Sequence, residues 1–170
     1  MSSGRWRLGL AVLTAALFGA PPAAAQEWIT HGEVGAGTGL EGADRGEGGG
    51  FQRARTRIFA GVDLSVDETP DSGFGVRGFV EIERETGVGG SARYLRHVSR
   101  YVTLSLAGTA ILVPATLFGG GVGAQLALPL GDEVAIFAEP GVSAFPFGGD
   151  RPGDGVVTWF SLDLGLRVGL

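Results

Sequence analysis

The chain has 170 residues, with 18 acidic and 13 basic side chains, 32 glycines and neither cysteine nor lysine. The lack of cysteine excludes disulfides, thiolate metal centres and cysteine nucleophiles. A formal charge of −5 is the wrong sign for a nucleic-acid partner.

The chain opens with Arg5 and Arg7, an apolar run from Leu8 to Phe18, and Ala23-Ala24-Ala25 before Gln26. A charged start, an apolar centre and a small-residue cleavage site predict a secretory signal peptide over 1–25, cut near Ala25. The run is short for a bilayer anchor, and Pro21-Pro22 follow it. The remaining 170 − 25 = 145 residues, 26–170, form one domain of charge 11 − 18 = −7. No later stretch approaches 18 apolar residues, so no transmembrane helix is expected.

Glycine and proline clusters divide 26–170 into eight segments of period-two alternation: 28–38, 53–66, 73–84, 90–96, 102–112, 117–128, 134–144 and 156–170. The connections at 67–73, 97–101 and 129–133 are compact. On the opposite side lie 39–50 and 147–155, which are longer and Gly-rich, and the short 85–90 and 113–116. An even number of antiparallel strands joined this way predicts an all-β, eight-stranded, up-and-down transmembrane β-barrel.

The two faces of these segments differ in kind. Over 53–66 one face carries Arg53, Arg55, Arg57, Asp63 and Ser65, and the other Ile58, Val62 and Leu64. Over 73–84 one face carries Arg77, Glu81 and Glu83, and the other Phe74, Val76, Val80 and Ile82. A turn near Pro70 sets residues whose numbers sum to about 138–140 opposite each other, so Arg57 meets Glu81 or Glu83, and Asp63 meets Gly75 or Arg77. His31, Glu33, Arg93, Glu139, Asp163 and Arg167 extend the charged face to other strands. Eight strands enclose only side chains or one small ligand. Arg–Glu ladders suit that lumen and the apolar face suits lipid. The opposite arrangement is a soluble, lipocalin-like lipid binder.

The last segment, "FSLDLGLRVGL", completes the pattern with Leu162, Leu164, Leu166, Val168 and Leu170 on one face. The architecture of nearly all of 26–170 resembles the small eight-stranded outer-membrane barrels of the OmpA and OmpX type. The resemblance implies a bacterial outer-membrane location, surrounding lipid and lipopolysaccharide, and an assembly signal in those five residues for the barrel-assembly machinery. That signal usually ends in an aromatic, where this chain has Leu170.

The charged face has two readings. In one, Arg53, Arg55, Arg57, Asp63, Arg77, Glu81, Glu83, Glu139, Asp163 and Arg167 neutralise each other as a plug. In the other they line a narrow ion or solute path. Neither histidine completes a nucleophile–base–acid set: His31 has Glu33 two residues on, and His97 falls in a turn beside Ser99. The chain is therefore expected not to be a lipid-modifying enzyme, and no cofactor is expected. Loops 39–50 and 147–155 carry Glu41, Asp44, Glu47, Asp150 and Asp154, a candidate weak divalent-cation patch or surface for a partner, without EF-hand spacing. Trp28, Phe74, Tyr94, Tyr101, Phe118 and Phe160 lie near segment ends, as an interfacial girdle would. The expected role is structural, in envelope integrity or surface contact.

Overall fold

The computed structural model describes residues 28–43, 50–53, 56–66, 69–82, 86–113, 116–149 and 155–170. Residues 1–27, which include the expected signal peptide, lie outside them.

Nine strands form one antiparallel sheet: β1 (Trp28–Ala43), β2 (Gly50–Arg53), β3 (Arg57–Val66), β4 (Thr69–Glu81), β5 (Gly87–Ser99), β6 (Val102–Val113), β7 (Leu117–Pro129), β8 (Val134–Gly148) and β9 (Val157–Gly169). Its order is β2-β1-β3-β4-β5-β6-β7-β8-β9, and β1 also pairs with β9. Both β2 and β3 pair with β1, the first against its last residues and the second against Trp28–Gly37. They are two lengths of one stave, so the closed barrel has eight. The register sets Arg53 opposite Leu40.

The ladder fixes the barrel's stagger. From His31 it runs through Asp63, Gly75, Arg93, Ala107, Gly121, Ser143 and Trp159 to Glu41. The circuit returns to β1 displaced by 41 − 31 = 10 residues. With ordinary strand rise and spacing, this stagger tilts the strands by roughly 40°. Staves of 12 or 13 residues, such as β6 and β9, then rise about 30 Å, the thickness of a bilayer core.

Inside and outside are opposite to those of a soluble barrel. Leu104, Leu106, Val122, Leu126, Leu162 and Leu164 are among the large apolar side chains exposed on the outer wall. Glu33, Asp63, Arg77, Arg93, Glu139 and Asp163 are buried inside. This overturns the lipocalin alternative, because the apolar face has no interior to line.

Strand lengths depart from the sequence reading where glycine hides alternation. The segment read as 90–96 is the full β5, Gly87–Ser99, and the supposed turn at 97–101 narrows to Arg100 and Tyr101. The stretch 39–43, read as loop, belongs to β1 because β9 pairs with it as far as Ala43 with Val157. Of the supposed turn 67–73, residues from Thr69 onward are in β4.

Aromatic rings fill the lumen beside the charges. Phe59, Phe79 and Phe137 are buried, and the register sets them opposite Gly35, Gly89 and Gly165. Each ring lies over the glycine that faces it, where a Cβ would collide with it. At Gly35 the Leu164 carbonyl also closes in. Gly35→Val is therefore expected to prevent closure of β1 on β9, read as loss of heat-modifiable mobility on unboiled gels. Folded mobility retained at the wild-type level would count against this packing.

Candidate functional site

The site is the ion-pair layer crossing the lumen. Odd-numbered residues of β1, β3, β4, β9, most of β5, and β8 as far as Phe145 point inward, because strand side chains alternate. They bring Glu33, Asp63, Arg77, Arg93, Glu139 and Asp163 together from strands far apart in sequence. Arg77 Nε donates to Glu33 Oε1 at 2.7 Å, its Nη2 to Glu139 Oε2 at 2.8 Å and its Nη1 to Asp163 Oδ2 at 3.0 Å. Arg93 Nη2 donates to Glu33 Oε1 and Asp63 Oδ1, each at 2.6 Å. Arg57 Nη2 donates to both Asp163 oxygens at 3.0 Å. The Ser105 hydroxyl donates to Glu139 Oε1 at 2.9 Å.

These pairs are not the expected ladder. The register does set Arg57 opposite Glu81 and Asp63 opposite Gly75, a sum of 138. The guanidiniums nevertheless reach past their immediate neighbours. Arg57 and Asp163 flank Gly37, Glu33 and Arg77 flank Gly61, and Asp63 and Arg93 flank Gly75. Each pair spans one strand over an inward glycine, whose missing Cβ leaves room for the carboxylate. Ser105 and Glu139 meet in the same way over Gly123. Inward glycines between charged positions were the signal for these partners, and a rule that pairs only adjacent strands misses them.

An apolar layer lies against the charges. Phe59 lies 4.1 Å from the Arg77 guanidinium carbon and Phe79 5.5 Å from that of Arg57, distances at which a cation is attracted to a ring. Phe145 and Trp159 pack with centroids 4.7 Å apart, in one buried cluster with Ile111, Leu117 and Val157. The register puts Phe145 opposite Val157, near the ends of β8 and β9 that face 149–156. Between the layers lies a void of about 50 Å³, bordered by Arg57, Arg77, Arg93 and Glu139.

The other sequence candidates fall as follows. Glu81 is buried in the lumen. Arg167 lines the lumen nearer the short turns, without an ion pair to a carboxylate. Arg55 and Glu83 lie outside the described residues, as do Asp44, Glu47, Asp150 and Asp154. Glu41 is half-buried on β1, and no metal-sized acidic or histidine cluster occurs among the described residues. His97 is not in a turn but in β5, with Nδ1 2.9 Å from the Thr103 hydroxyl. Glu33 is held by Arg77 and Arg93, so it does not serve His31. Leu162, Leu164, Leu166, Val168 and Leu170 all face outward.

The aromatics form two outward belts. Trp28, Phe74, Tyr94 and Tyr101 are exposed near the short-turn end, with Phe74 and Tyr94 in edge contact at 5.5 Å. Phe118, Phe147 and Phe160 are exposed near the other end, where Phe118 pairs with Phe147. Belts at both interfaces are what a bilayer selects.

No family model matches the chain, and no curated protein matches it. Among solved structures, Neisserial surface protein A, NspA, is similar at 16% identity and a TM-score of 0.50, over 82% of this chain and 96% of that one. Ail, the attachment invasion locus protein of Yersinia pestis, is similar at 13% identity and a TM-score of 0.49, over 83% of this chain and 99% of that one. The fold is that of the small eight-stranded outer-membrane barrels.

Proposed function

We propose that this chain is a bacterial outer-membrane barrel with a structural or surface-contact role and a lumen closed to ions. One observation carries the reading: Arg77 and Arg93 bridge carboxylates on opposite walls beneath an aromatic layer. A hydrated ion would have to displace buried, charge-assisted hydrogen bonds to pass, and those bonds are the strong ones. The apolar wall supports a lipid and lipopolysaccharide surround, reached after removal of 1–25 and insertion by the barrel-assembly machinery. The outward leucines of β9 fit that machinery's signal. Contact with a surface partner falls to loops 44–49 and 149–156, whose flanking strands β1 and β9 lie side by side. The Neisserial protein's description as a surface protein agrees with that reading.

Planar-bilayer recording tests the closed lumen. The refolded barrel is expected to give no discrete conductance steps. Steps whose ion selectivity changes with Arg77→Gln would replace this reading with that of a narrow channel.

A further inference from the structure

The lumen beyond the ion-pair layer is open at the end that carries the short turns. It widens there into a cavity of about 560 Å³, within the range of small-molecule sites. His31, His97, Thr103 and Arg167 supply polar groups to its wall, and Ile29, Val98 and Ala127 an apolar surface.

Arg167 is unlike the arginines above it. Arg57, Arg77 and Arg93 each hold a carboxylate at 3.0 Å or less. The contacts of Arg167 are Gln125 Oε1 at 3.3 Å and His31 Nδ1 at 3.4 Å, both long and both to groups without negative charge. Its Nε, like that of Arg93, is buried and makes no hydrogen bond. Glu33 and Asp63 are already bonded to Arg77 and Arg93 at 2.6–2.7 Å. A guanidinium has five donors, and although Asp63, Glu33 and Glu139 attract Arg167 across the lumen, none of them is hydrogen-bonded to it, so its donors are left for another acceptor. With its Nδ1 accepting from Arg167, His31 carries its proton on Nε2, a further donor.

We infer that this cavity is a binding site for a small organic monocarboxylate, its carboxylate on Arg167 and His31 and its apolar body against Ile29, Val98 and Ala127. The acidic rim narrows the class. Asp132 and Glu133 sit exposed in the turn at the mouth, where they repel a dianion or polyanion more than a single carboxylate. The apolar wall selects against a bare inorganic anion.

The test titrates the refolded barrel, in neutral detergent, with benzoate, benzyl alcohol and inorganic phosphate, following the imidazole NMR signals of its two histidines. Benzoate is expected to shift both signals to saturation, and the alcohol to leave them unchanged. Arg167→Gln, with folded mobility retained, is expected to weaken benzoate by about tenfold or more, the scale of losing a charge-assisted bond. Should that variant fail to fold, Ala127→Leu decides the matter by filling the apolar wall, and it is expected to weaken benzoate similarly. No saturation in the wild type, unchanged affinity in the folded variant, or phosphate binding as tight as benzoate would each overturn the inference.

Discussion

Arg77→Leu will cost the folded barrel about 3–5 kcal/mol, the usual penalty for removing one partner of a buried ion pair. Three carboxylates lose their bridge at once: Glu33, Glu139 and Asp163. The Arg77 side chain is only 6% exposed, so water does not easily replace it. Arg57→Leu will cost less, because among the described carboxylates Arg57 pairs with Asp163 alone, and it sits at 17% exposure. Urea titration of the refolded barrel in lipid vesicles, followed by tryptophan fluorescence, measures both. A double change, Arg77→Leu with Glu139→Gln, should recover part of the loss, since one stranded charge disappears. An Arg77→Leu barrel within about 1 kcal/mol of wild type would mean that the layer does not hold the walls together.

The second large effect is expected on the outer wall. Leu164 sits midway along β9, facing out at 55% exposure, opposite Ala36 and Ala138. Leu164→Arg will destabilise the barrel in vesicles by about 2–4 kcal/mol, the cost of a cation at the bilayer midplane. Leu170→Arg, at the strand end, will cost about 0–1 kcal/mol, because the side chain can reach the interface. The same titration compares them. Equal and negligible costs at the two positions would place this face in water.

Much of the fold was legible because the physics of a membrane barrel is local. Alternation at Arg57–Val66 and Phe74–Ile82 needs only two neighbouring residues to show which face is apolar, and matching opposite charges across one turn narrows the register to a sum of about 138–140, of which the structure has 138. What was not legible depends on closure. Arg57 and Asp163 are 106 residues apart, and only the pairing of β1 with β9 brings them within reach. Phe59, Phe79 and Phe137 share the charged face, and each gains its place from a glycine on the next strand. At the lumen's open end, the sequence shows Arg167 only as one more charge; its lack of a carboxylate partner is a property of the assembled wall.

The pairing of β1 with β9 also sets an order of events. His31 and Gly169 are neighbours in the sheet but 169 − 31 = 138 residues apart in the chain. Until β9 has been made, β1 keeps an unpaired edge, and so does each new strand in turn. The β1–β9 contact closes the longest loop of the barrel and so carries the largest loop-closure entropy of its pairings. Before closure the chain is a row of unpaired edges with apolar flanks. It needs to be kept apart from its copies until the ring can shut, and a truncation within β9 would be felt as aggregation before it was felt as lost stability.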